Sequence, residues 1–282
     1  MTNVTTKTGR RVAELTLNNL GIGKNEIAEL QNVPYKELEA AGNAAMTQAA
    51  KEYGSIDSWG NPGLLWTPVV DSIASQANDI PIMIGTAMTE WTTMEMFGQA
   101  NKYKNDNRNT WSQEEVNSKL KEWFGNHLET IADAFKQAYP GRPVADVLYV
   151  ETMLRAPAFK TARLKADQHG APVYNYMFAW DTPLVGGFAI SYHCSELPFV
   201  FNNVVMSKAS ALGGEQAEIL ADRMSRAWIN FARYGNPNHS EIPDWPVLTR
   251  ENGYTMIFGN ECQVKKNHDY KLMKLLVPDH VF

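Results

Sequence analysis

One histidine in this chain stands where chemistry could be done. His193 sits in residues 190–201, which read Ile-Ser-Tyr-His-Cys-Ser-Glu-Leu-Pro-Phe-Val-Phe. An imidazole is the side chain best suited to take up and return a proton near neutral pH. Just upstream, residues 173–180 are almost unbroken apolar and aromatic side chains, which reads as a strand buried on both faces. Asp181, Thr182, Pro183, Gly186 and Gly187 then break it into a loop. A histidine carried past the end of a buried strand is how open α/β sheets present reacting groups. Cys194 adjoins it and invites a thiol-nucleophile reading. Neighbours on a loop rarely align for proton transfer, so Cys194 is expected to be a small buried residue.

A hydrolytic reading needs a nucleophile, and no serine of this sequence lies in a G-x-S-x-G elbow. Ser55 and Ser58 fall between Gly54 and Gly60, but the spacing is wrong and no apolar strand precedes them. His127, His169, His239, His268 and His280 are scattered, with no H-E-x-x-H and no Cys/His cluster. Neither a metal nor a cofactor is implied.

The residues around His193 resemble the histidine region of the type B carboxylesterase family, the para-nitrobenzyl esterase and cholinesterase-like enzymes. That family has a histidine, two variable residues, an acidic residue and an apolar run holding Phe-Val-Phe. Here these are His193, Glu196 and Phe199-Val200-Phe201. A second segment agrees in order and distance. The family ends a strand on Ile-Gly-Thr and places an acidic residue in the loop beyond; Ile84-Gly85-Thr86 and Glu90 match. The family then has glycine, where this chain has Trp91. Thr67-Pro68-Val69-Val70-Asp71, Asp244-Trp245-Pro246 and residues 254–258 also resemble family features, so the likeness covers essentially the whole chain.

The resemblance implies the C-terminal portion of an α/β-hydrolase fold, a mostly parallel sheet flanked by helices. It implies carboxylic ester hydrolysis by a Ser-Glu-His triad through an acyl-enzyme, acting on a small-molecule ester. His193 would be general base and then general acid, and Glu90 the carboxylate that orients it. Glu196 would cap or support rather than react. The family carries its serine elbow and oxyanion glycines upstream of the acid. Residues 1–282 are therefore expected to be the C-terminal part of such a domain, lacking the N-terminal half and inactive without it. That half is the expected partner. The competing reading is a non-catalytic, esterase-like binding or adhesion protein, or an inactive fragment; the presence of both Glu90 and His193 weighs against it. Half of a parallel sheet leaves an open edge, so poor solubility is expected of the chain made alone.

The elements that must position these groups follow from periodicity. Residues 11–20 read as a helix with Val12, Leu15 and Leu20 on one face, stopped by Gly21. Residues 25–32 read as a short helix with Ile27 and Leu30 inward, and residues 36–53 as a third. Residues 55–71 read as a loop. Residues 80–86 suit a central parallel strand. Residues 111–139 show helical spacing at Val116, Leu120, Trp123, Phe124, Leu128, Ile131 and Phe135, and Pro140 to Pro143 break it. Trp91, Trp123 and Phe124 could line an acyl pocket, but such spacing more often marks core. Residues 144–166 are helical again, kinked or restarted near Pro157. Residues 215–234 form the clearest helix, with Gly235 at its end and Pro237 beyond. Residues 254–258 read as a further strand.

The 282 residues, 44% of them hydrophobic, suffice for one sizeable core. A net charge of −5 leaves no basic face for nucleic acid or an anionic membrane. No run approaches the roughly 20 apolar residues of a membrane span, and residues 1–11 show no apolar stretch of a secretory signal. Cys194 and Cys262 make no disulfide framework; a single bridge between them is left open.

Overall fold

The computed structural model describes residues 6–53, 77–90, 107–207, 210 and 212–278. The loop expected over 55–71, with Thr67 to Asp71 inside it, lies outside these residues, as do Trp91 and His280. The chain divides into two compact units, Met1–Ile73 and Ala74–Phe282.

In the first unit, α1 (Thr6–Leu20) buries Val12, Leu15 and Leu17. Gly21 ends it at φ 68°, a left-handed conformation that glycine adopts without steric cost. Val12 and Leu15 pack on Ala45, Ala49 and Ala50 of α2 (Tyr35–Tyr53), whose alanines let the two backbones come close. The helix expected at 25–32 is a 3-10 helix, Ile27–Asn32, with no buried residue. Ile27 is 57% exposed rather than inward. Val33 turns extended ahead of Pro34, whose ring disfavours a helical neighbour, so the element is too short to bury a face.

The second unit holds a four-stranded sheet, ordered β1 (Ile82–Ala87), β2 (Val173–Phe178), β3 (Thr255–Phe258), β4 (Gln263–Lys265). The first three run parallel, and β4 is antiparallel to β3. β2 is central and almost wholly buried, as its apolar run requires. Asn175 is a polar residue in that run. It is tolerated because its amide donates to Ile84 O at 3.0 Å and accepts from Thr255 Oγ1 at 3.0 Å. β1, expected to be central, lies at an edge of the described sheet and is half-buried from Ile82 to Gly85. Gly85 faces Tyr176 so closely that a Cβ would lie 2.4 Å from its ring and carbonyl.

The span expected as one helix over 111–139 is two, α3 (Gln113–Phe124) and α4 (Leu128–Ala138). Gly125, at φ 49°, and a 3-10 turn separate them. Ser112 and Glu115 form a reciprocal capping box at the start of α3. Trp123, in the last turn of α3, is 71% exposed and not core. A 3-10 turn, Val144–Tyr149, precedes α5 (Arg155–Ala166). Pro157 falls in the first turn of α5, where a missing N–H costs nothing, so the helix restarts without a kink. Then come α6 (Leu197–Val200) and α7 (Gly214–Tyr234), closed by Gly235 at φ 68°. The sequence reading had neither β4 nor the last helix, α8 (Tyr270–Leu276).

Side chains of β2 alternate between two cores, as strand geometry demands. Met177 joins Val116, Leu120, Ile131, Phe135, Met88 and Ile190. Tyr174 and Phe178 join Phe199, Leu220, Met224, Trp245 and Phe258. Among the described residues no helix is long and apolar enough to cross a membrane.

Candidate active site

β1 and β2 are parallel and in register, Ala87 opposite Phe178, so their carboxyl ends stop at the same level. The chain leaves β1 through Met88, Thr89 and Glu90. Met88 N donates to Phe178 O at 2.9 Å, extending the ladder by one rung. The loop 181–196 leaves β2 and returns to this turn. Thr89 donates to Ser191 O twice, from its backbone N at 3.2 Å and from Oγ1 at 3.0 Å. His193 N donates to Glu90 O at 2.9 Å. Two loops a hundred residues apart in sequence are thus laced together by backbone groups.

That lacing sets the side chains. Glu90 Oε2 lies 2.7 Å from His193 Nδ1. The other oxygen, Oε1, accepts from Ala87 N at 2.7 Å, so the carboxylate is held at both ends. The Glu90 side chain is 8% exposed and that of His193 50%. A buried acceptor on Nδ1 fixes the proton there and leaves Nε2 as the basic ring nitrogen, on a half-exposed imidazole.

The loop is held in costly conformations. Val185, Ile190 and Cys194 have φ of 54°, 45° and 64°. Non-glycine residues in this region cost about 1–3 kcal/mol each and cluster at functional sites. Ile190 is β-branched and buried, which makes its strain the most telling.

Cys194 is exposed, against the expectation of burial, and its φ is 64°. Partial desolvation and the charges of Glu196 and Glu90 raise its thiol pKa, which disfavours the thiolate a nucleophile needs. Cys194 and Cys262 are both free, which closes the question of a bridge. Glu196 precedes α6 but makes no side-chain capping bond. Burial and the nearby Glu90 charge raise its carboxyl pKa, and its Oε2 finds no hydrogen-bond partner among the described residues. Among the described residues no three His, Cys, Asp or Glu side chains gather as metal ligands. Trp123 is exposed and Phe124 packs on the first core. The buried residues that support the loop from behind, Thr89, Arg108 and Asp146, belong to no motif, so the sequence reading passed over them.

The profile of the carboxylesterase family matches residues 1–275. The chain is 27% identical over 267 residues to a para-nitrobenzyl esterase of Bacillus subtilis, covering 92% of this chain and 51% of that protein. It is 25% identical over 276 residues to a phenmedipham hydrolase of Pseudarthrobacter oxydans, with the same coverage. A solved esterase from Clostridium hathewayi, described as hydrolysing aliphatic aromatic polyesters, superposes with a TM-score of 0.74 at 29% identity. That match covers 99% of this chain and 54% of the other. The chain spans about half the length of the curated relatives it matches.

Proposed function

We propose, from the premise that this chain belongs to the carboxylesterase family, that it supplies the acid and base of a Ser-Glu-His triad for carboxylic ester hydrolysis. The observation that carries this is the 2.7 Å contact between Glu90 Oε2 and His193 Nδ1 past the ends of two adjacent parallel strands. In this reading His193 Nε2 takes the proton of a serine hydroxyl as the oxygen attacks the ester carbonyl. It then returns that proton to the departing alcohol, leaving an acyl-serine. Water enters by the same route, and the acid leaves. Glu90 holds the Nδ1–H tautomer and offsets the imidazolium charge.

The sequence holds no G-x-S-x-G elbow, so we assign the serine to polypeptide other than these 282 residues, which we take as the C-terminal part of the domain. A supporting observation is that β1 has no strand on its outer side among the described residues. Substrates are proposed only as carboxylic esters, the class named for the Bacillus subtilis and Clostridium hathewayi esterases.

The test has two arms. The isolated chain is expected to hydrolyse para-nitrophenyl butyrate no faster than its His193→Ala variant, since losing the nucleophile costs on the order of 10⁶ in kcat. Fused behind an elbow-bearing half of such an esterase, it is expected to gain turnover that His193→Ala removes by on the order of 10⁴-fold or more. Turnover in that fusion that survives His193→Ala would refute the reading.

A further inference from the structure

The structure assigns Arg108 the role of a positioning residue for His193, an inference that rests on the acid–base pair proposed above. Arg108 is buried, with 4% of its side chain exposed. Its Nε–H donates to Asp146 Oδ1, its Nη1 to Phe188 O at 2.8 Å and its Nη2 to Gly187 O at 3.0 Å. The next residue, Asn109, donates from Nδ2 to Gly186 O at 2.9 Å. Three successive carbonyls of the histidine loop are therefore held by two adjacent side chains. The rings of Tyr149 and Phe188 each lie 5.6 Å from the guanidinium carbon and close off the site.

Asp146 is shared. Arg142 approaches it at 3.4 Å and also reaches Ala179 O at 3.2 Å and Asp181 Oδ1 at 2.8 Å, where the loop begins. One buried carboxylate thus ties the start and the middle of the loop through two arginines. The end is tied by Thr89 and the Glu90 carbonyl. Between the middle tie and the end tie lies Ile190 at φ 45°. A β-branched residue rests in that conformation only where its surroundings impose it. Of the side chains available, only a guanidinium can present donors in one plane to two carbonyls and a carboxylate together. Lysine would supply a point charge that satisfies one or two of them. With the fork lost, residues 186–190 relax, and His193, three residues on, leaves Glu90.

The test uses the full chain labelled with ¹⁵N-histidine, read for the low-field His193 Nδ1–H resonance that reports the bond to Glu90. The expected result is a signal present in wild type, lost in Glu90→Gln and lost or broadened in Arg108→Lys, with near-UV circular dichroism and the His239 ring signals unchanged. A folded Arg108→Lys chain with an unaltered His193 signal overturns the inference. Should that variant not fold, hydrogen exchange in wild type decides. The Arg108 Nε–H and the His193 amide are expected to open in one event. A His193 amide that exchanges freely while the Arg108 Nε–H stays protected overturns the inference. A signal that survives Glu90→Gln overturns the acid–base reading as well, which separates the two failures.

Discussion

Acidification should weaken this fold through one half-buried imidazole, His268, whose Nε2 is sealed from solvent. His268 packs edge-on against Tyr139, with ring centroids 4.8 Å apart. Its Nε2 is buried without a hydrogen-bond partner among the described residues. Burial lowers its pKa from the ordinary 6.5 to about 4; Asp269 pulls the other way, and Arg155 and Lys265 add to the fall. The direction of the effect follows from which state binds the proton. Between pH 6.5 and 4 the unfolded chain protonates His268 and the folded chain does not. Stability is whole above 6.5, falls as the pH drops, and stops falling below about 4, where the folded state protonates too. At about 1.4 kcal/mol per tenfold change in proton affinity, a drop from 6.5 to about 4 corresponds to about 3 kcal/mol. The perturbation is His268→Gln, which cannot titrate. Urea unfolding followed by tryptophan fluorescence at pH 7, 6, 5 and 4 measures both chains. Other carboxylates titrate equally in the two, so the difference isolates His268. The gap between variant and wild type is expected to move by about 3 kcal/mol across this range in the variant's favour. Parallel pH profiles would refute the reasoning.

Two further substitutions test the frame behind the site. Asp269 receives Arg155 Nε at 2.6 Å and Nη2 at 2.9 Å with both side chains buried, and it also receives the Tyr139 hydroxyl. Asp269→Asn leaves a guanidinium without its counter-charge and is expected to cost about 3–5 kcal/mol in chemical unfolding; a loss under about 1 kcal/mol would contradict this. Gly85→Ala sets a methyl 2.4 Å from Tyr176 across the β1–β2 ladder. It is expected to cost at least about 1–3 kcal/mol and to weaken the His193 Nδ1–H signal, since Glu90 hangs from the displaced strand. An unchanged unfolding midpoint would show that the strands part freely there.

Three expectations read from short windows depended on what lies outside them. Ile82 to Gly85 read as a central strand because the run is apolar; burial depends on what pairs with it, and among the described strands β1 lies at an edge. Trp123 keeps helical spacing with Val116 and Leu120 inside α3 yet is 71% exposed, because spacing names a face of a helix and not what covers it at its last turn. Residue type predicts a buried Cys194, but it stands exposed on the loop beside His193.

Local features are written in the chain. Gly214–Tyr234 forms a helix because its apolar residues step by three and four and Gly235 can take φ 68° at its end. Val173–Phe178 forms a strand because it is short, apolar and followed by breakers. Glu90 and His193 are legible from their neighbours, Ile84-Gly85-Thr86 before the one and Glu196 with Phe199-Val200-Phe201 after the other. Tertiary structure alone decided that they meet, across a separation of 103 residues, and that Arg108 and Asp146, 38 apart, brace the loop between them. Pairing of buried charges over such distances leaves no period in the chain; it exists only once the strands are in register and the loop has folded back.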